Sequence, residues 1–112
     1  EVIPKLALRR RAFPFAGMAA AAFMALASGS ALAADISKGG TLYATHCAAC
    51  HGTGGNPVMP GAPNFRRSES LMRPDMQLLT TIRNGKGAMP AFFGVLRDRE
   101  ILDVVAYLRT LS

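Results

Sequence analysis

Residues 47–51 read Cys47-Ala48-Ala49-Cys50-His51, flanked by Tyr43-Ala44-Thr45-His46 and by Gly52-Thr53-Gly54-Gly55. Cys47 and Cys50 are the only cysteines of the chain. They stand about one helical turn apart, with an imidazole directly after the second. A thioredoxin-like centre needs such a pair near a βαβ pattern, and no strand pattern is seen here. A zinc site needs about four ligands, normally in two separated pairs. His46, Cys47, Cys50 and His51 form one cluster, and the chain has no other Cys or His. A disulfide here closes too short a loop to constrain the unfolded chain and leaves His51 unexplained. The remaining reading is C-x-x-C-H attachment of haem. The two thiols add across the haem's two vinyl groups as thioethers, and one helical turn matches the vinyl separation. His51 then supplies an axial nitrogen to the iron.

Working outward, three helices are expected. The first runs from about Ile36 to His46, with Asp35 or Ser37 as N-cap. Gly39 and Gly40 lie inside it, each costing about 1 kcal/mol against Ala, which points to close approach by another element. The second runs from about Pro74 to Arg83, with Pro74 suited to the first position and Asn84-Gly85 to the stop. The third runs from about Asp98 to Leu111, because Ile101, Val104, Val105, Leu108 and Leu111 make one apolar face. Between the first two lies a loop with Pro57, Pro60, Pro63 and four glycines, from Gly52 to Arg67. A second loop, Gly85 to Arg97, joins the last two. Structureless loops of this length are usually functional or disordered.

An electron-carrying iron takes a second axial ligand. His46 is pinned by the first helix to the wrong side. The methionines after the leader are Met59, Met72, Met76 and Met89. Met59 is only eight residues from His51, too close for its segment to wrap around a haem. Met72 and Met76 bracket the start of the second helix and read as core. Met89 lies 38 residues after His51, in Gly87-Ala88-Met89-Pro90. Glycine lets that backbone approach a flat ligand and Pro90 stiffens it, so Met89 is the candidate.

The N-terminal third reads differently. Lys5 and Arg9-Arg10-Arg11 precede an uncharged Ala- and Phe-containing stretch ending Ala31-Leu32-Ala33-Ala34. A basic start, an apolar middle and a small-residue end mark a secretory signal peptide. Residues 1–33 are expected to be cleaved and 34–112 to form the domain, exported to the periplasm. An uncleaved anchor is the alternative, since about 20 apolar residues cross a bilayer. Of the net charge of +6, the leader carries +3 and the remainder +3. That remainder is too modest for nucleic-acid binding and fits a soluble protein with a mild preference for acidic partners. The roughly 78 residues left after the leader contain no Trp and make a weak core. Domains of this size often lean on a cofactor or another staple.

The sequence closely resembles the class I c-type cytochromes over residues 35–112. The likeness rests on Gly39 and Tyr43 before Cys-Ala-Ala-Cys-His-Gly, on Ala62-Pro63-Asn64-Phe65, on Asn84 to Phe92, and on Val105-Ala106-Tyr107-Leu108. The Asn84–Phe92 stretch looks most like small photosynthetic and related bacterial electron carriers. The resemblance implies an all-α fold wrapped round one covalent haem c. It also implies Gly39 and Tyr43 packed against the last helix near Tyr107, and a carbonyl near Pro63 accepting the His51 ring N–H. In one departure, Arg97 stands where the family usually has a capping Ser or Thr, so the reciprocal capping box with Glu100 is expected to be lost. Asp98 is then a candidate cap one residue later.

The function expected is one-electron transfer, with His51 and Met89 as iron ligands and Cys47 and Cys50 as attachment points. No catalytic residues are expected: the chain shows no Ser/His/Asp arrangement, phosphate loop or paired-carboxylate motif. Partners would be a redox donor and acceptor, with acidic docking faces if Arg66, Arg67, Arg73, Arg83 and Lys86 rim the haem edge. Scattered solvated charge is the bland alternative. Two other readings stay open: a dedicated cytochrome subunit of a dehydrogenase or oxidase complex, and a five-coordinate haem enzyme or gas sensor.

Overall fold

The computed structural model describes residues 32–112. The leader reading lies outside the described residues except for Leu32 and Ala33, which have no regular structure. The elements are α1 (Ile36–His46), α2 (Ala48–His51), a 3-10 turn (Ser68–Leu71), α3 (Asp75–Asn84) and α4 (Asp98–Leu108). The one β-pairing among the described residues is an isolated bridge between Lys86 and Met89. The fold is all-α, as expected, with long loops between its helices.

α1 and α4 form the main helix pair. Asp35 caps α1 by accepting the Lys38 backbone N–H at 2.9 Å, which satisfies a donor the helix start would leave orphaned. Gly39 lets the two helices close. A Cβ built there would stand 1.9 Å from the Asp103 carbonyl oxygen, a distance only Gly avoids. Gly40 faces the Tyr107 ring, and Tyr43 meets Tyr107 at 5.3 Å between centroids. Gly39 and Tyr43 thus pack against the last helix as expected. α4 buries Ile101, Val104, Val105 and Leu108 on one stripe. Each such side chain stabilises the fold by about 1.5–3 kcal/mol when fully buried.

α4 ends at Leu108, not Leu111. Thr110 and Leu111 donate their backbone N–H groups to Tyr107 and Leu108 at 2.9 and 3.0 Å, an i→i−3 pattern that tightens the last turn. Leu111 still reaches the core from this turn, which is why its spacing imitated helix. At the other end, Asp98 is the first helical residue and Arg97 the cap. Glu100 keeps its half of the capping box, accepting the Arg97 backbone N–H at 3.0 Å. An Arg side chain has no acceptor to return the bond. Its guanidinium pairs with Glu100 instead, at 3.0 Å.

Two charged residues near the α1–α4 contact escaped the sequence reading. Asp103, 2% exposed, accepts the Asp35 backbone N–H at 2.8 Å and lies 3.5 Å from Arg99 Nε. Arg99 also donates to the carbonyls of Leu32 and Ala33. α3 buries Leu78, Leu79 and Ile82 toward α4 and leaves Met76 64% exposed. Met72 is 78% exposed. Both methionines were expected in the core. The chain before α3 instead runs over the surface, and the inward stripe of α3 starts only at Leu78.

Candidate functional site

Cys47 caps α2, a single turn that carries Cys50 and His51. The turn is held at both ends. Cys47 donates its backbone N–H to Tyr43 O at 2.9 Å, and Gly52 donates to Ala48 O at 2.8 Å. The phenol of Tyr43, buried in the α1–α4 contact, donates to Gly52 O at 2.6 Å. Burial pushes that phenol up to about 12, so it remains a donor at any ordinary pH. The long loop folds back on the same turn, with Val58 and Met59 both donating to Cys50 O at 2.9 and 3.0 Å.

These elements wall a cleft of about 780 Å³. Cys47, Cys50 and His51 line one part of it. Leu78 and Ile82 of α3, with Val104 and Leu108 of α4, supply an apolar floor. Lys86 to Pro90 form a further wall. All four candidate site residues, Cys47, Cys50, His51 and Met89, therefore open onto one space, as does Met59.

The loop bearing Met89 is a closed turn. Lys86 and Met89 exchange both backbone hydrogen bonds, at 3.1 and 3.0 Å. Gly85, at φ +74°, lets the return strand pass, since a Cβ there would stand 2.7 Å from Met89 O. Phe92 and Phe93 then donate to Ile82 O and Arg83 O at 3.2 and 2.9 Å, tying the loop to the end of α3. Met89 is partly buried against the core.

The His51 ring stacks on Phe65 at 4.6 Å and 22°. Phe65 closes the Ala62-Pro63-Asn64-Phe65 motif, and its stacking on His51 is not visible from that motif alone. Burial lowers the His51 pKa, and the Pro63 carbonyl offsets part of that shift. The ring is accordingly neutral at neutral pH, the form that binds a metal. The Pro63 carbonyl is the neighbour expected to accept from this ring, but buried His51 Nδ1 falls short of full hydrogen-bond geometry with it. Burial, reinforced by the Cys50 sulfur, pushes the Cys47 thiol up to about 11. That is the reverse of the acidic thiolate a dithiol redox centre uses.

The residues fit a haem. Cofactor sites are apolar clefts of about 300–1,000 Å³ with a few polar groups, and this one has two thiols, the imidazoles of His51 and His46 and the thioethers of Met89 and Met59 on its walls. Among the described residues no three His, Cys, Asp or Glu side chains converge for a bare metal ion. Of the five cations considered for a rim, Arg73 and Lys86 line the cleft. Arg66, Arg67 and Arg83 do not. Arg83 pairs with Asp98 at 3.5 Å and lies 5.1 Å from the Phe93 ring centroid.

Comparison with known proteins agrees with this geometry. The sequence family described as cytochrome c oxidase, cbb3-type, subunit III, matches residues 34–108. A cytochrome c6 of Thermostichus vulcanus is 38% identical over 105 residues, spanning 90% of this chain and 91% of its own. Another, of Thermosynechococcus vestitus, is 42% identical over 83 residues, covering 70% and 72%. Among solved structures, cytochrome c6 of the diatom Phaeodactylum tricornutum superposes with a TM-score of 0.59 at 33% identity. It covers 68% of this chain and 92% of its own. The c-type cytochrome KustC0563 gives 0.62 at 30% identity, covering 66% and 96%.

Proposed function

The chain belongs to the class I c-type cytochromes, electron carriers with one covalent haem c rather than enzymes, and we propose that it works in a periplasmic electron-transfer chain with His51 and Met89 as axial ligands. Bound haem c supplies a one-electron Fe(II)/Fe(III) couple. The protein's part is to hold it, orient its ligands and keep water from the iron. Cys47 and Cys50 are the two thioether positions. His51, neutral and stacked on Phe65, offers its imidazole.

The observation that carries the Met89 assignment is the paired Lys86–Met89 bridge on the cleft wall, which fixes the backbone from which the thioether reaches inward. Met59 also lines the cleft and is its rival. Its backbone is bonded to Cys50, however, so it belongs to the wall that carries His51. A thioether ligand is soft, favours ferrous iron and raises the potential. The near-infrared spectrum of the ferric protein tests the assignment. Met89→Ala should abolish the weak sulfur-to-iron charge-transfer band, lower the potential and let carbon monoxide bind the ferrous form. Met59→Ala should leave the band intact. The opposite pattern would assign Met59, and absence of the band from the wild-type protein would return the five-coordinate reading.

Export rests on the leader pattern of residues 1–33, with cleavage after Ala33. Among the described residues no helix is long and apolar enough to cross a membrane. Arg73 and Lys86 on the cleft wall suit a redox partner with an acidic face. A second reading, a dedicated cytochrome of an oxidase complex, is favoured by the description of the matching family. Stable co-purification with other subunits would select it; a protein recovered alone from the periplasmic fraction would select the free carrier.

A further inference from the structure

Arg109 was not singled out in the sequence, yet its side chain makes more hydrogen bonds than any other among the described residues. It is the C-cap residue of α4. Its Nε and Nη2 donate to Asp75 Oδ1 at 2.9 and 2.5 Å. Nη1 donates to Leu71 O at 2.8 Å, and Nη2 also to Arg73 O at 2.9 Å. One guanidinium thus gathers Leu71, Arg73 and Asp75, the segment between the 3-10 turn and α3. Leu71 is buried, but Met72 to Asp75 are exposed. Little apolar packing holds those four residues, so polar contacts must.

Arg73 lies in the middle of that segment and lines the cleft. Among the described residues its side chain is in no ion pair. Asp75, two residues away, is instead occupied by Arg109. Were Asp75 free, it would be the nearest carboxylate in sequence to neutralise Arg73. The guanidinium therefore does two things at once: it fixes the Arg73 backbone and keeps the local anion engaged elsewhere. A cation held at the wall of a cofactor cleft favours the less positive oxidation state, with a field that solvent screens in part at an exposed position.

We propose that Arg109 is a positioning residue for the redox centre: it holds Arg73 at the cleft wall, and through Arg73 it raises the reduction potential of the bound haem. The proposal rests on the haem-carrier reading and uses none of the axial-ligand assignment. A lysine cannot replace the fork, because its single ammonium cannot span the carbonyls of Leu71 and Arg73 together with the Asp75 carboxylate.

The test is a potentiometric mutant cycle on purified holoprotein, with thermal unfolding followed in parallel. Arg109→Lys keeps the charge and loses the geometry. It should shift the ferric/ferrous equilibrium toward ferric by about three- to tenfold, the size of one partly screened charge at the edge of a cleft. Arg73→Gln should shift it the same way. In the Arg73→Gln background, Arg109→Lys should lower the melting temperature as before but leave the potential where Arg73→Gln put it. An Arg109→Lys shift of equal size in both backgrounds would mean that it acts by general loosening, and would overturn the proposal. No shift in either background, with stability reduced, would make Arg109 purely structural and overturn it too. Absence of covalent haem from the wild-type protein would show up first, as a missing redox couple, and would sink the carrier reading instead.

Discussion

Between α1 and α4 the chain closes on itself until a single methyl group has no room. A Cβ at Gly39 would lie 1.9 Å from the Asp103 carbonyl oxygen, and Ile101, Val104 and Val105 are at most 2% exposed. Across Tyr43 the same chain leaves about 780 Å³ of space walled by Phe65, Leu78, Ile82, Val104 and Leu108. Protein interiors are normally close-packed, so the second region is not a looser version of the first. It is shaped for a partner that the amino acids do not supply. The helix pair fills its own contact with buried side chains. The cleft is complete only with its haem, and loops supply much of its wall beside α3 and α4.

That contrast can be broken most forcefully at the attachment turn. Replacing both Cys47 and Cys50 by Ala should give haem-free and largely unfolded protein, because burial of the cofactor contributes folding free energy. Far-ultraviolet circular dichroism of the purified variant decides it. A native helical signal without haem would mean that the helix pair suffices and that the contrast is overdrawn.

Gly39→Ala attacks the other region. Overpacking typically costs about 1–3 kcal/mol, and here the obstacle is backbone, so a loss at the upper end, about 3 kcal/mol, is expected. Denaturation of holoprotein should show it while the visible spectrum of the folded state stays unchanged. A spectral change of the same variant would mean that the two regions are coupled more tightly than their separate walls suggest.

Tyr43→Phe touches both sides. It removes the 2.6 Å bond to Gly52 O and leaves a carbonyl beside the attachment turn without its donor, costing about 1–2 kcal/mol. Both stability and potential should move, the first more clearly. Unchanged stability would show that Gly52 finds water instead.

The smallest effect is at the start of α4. Side-chain and backbone hydrogen bonds from Arg97, then one from Lys38, hold the Glu100 carboxyl at about 2, below its ordinary 4.5. A carboxylate depressed on folding stabilises the protein above its unfolded pKa, and the contribution fades as pH falls through the folded value. Wild-type stability should therefore carry a component lost between about pH 4.5 and 2. Glu100→Gln should lack it. An identical acid profile in the two proteins would remove Glu100 from consideration.

How far these regions were legible in sequence follows from the range of the contacts that make them. Asp35 as cap, the glycines of α1 and the stop at Asn84-Gly85 are local signals, and each lies where the pattern placed it. The four candidate site residues were named from a five-residue motif and a Gly/Pro loop, and they open onto one cleft. Leu111 obeyed the helical spacing yet sits beyond the helix, because a tight turn also returns a side chain to the core. Met72 and Met76 are apolar but exposed, and nothing in their own sequence says which way that surface faces. Asp103 and Arg109 act on partners 68 and 34 to 38 residues away. No window of sequence contains such pairs. Phe65 against His51 belongs to the same class.

The most direct test of the cleft as a covalent haem site is mass spectrometry of the protease fragment containing residues 47–51, taken from holoprotein after acid-acetone extraction and denaturation. The fragment should retain one haem, joined by thioethers to both Cys47 and Cys50. A fragment with free or disulfide-bonded cysteines, and haem lost to the solvent, would contradict it.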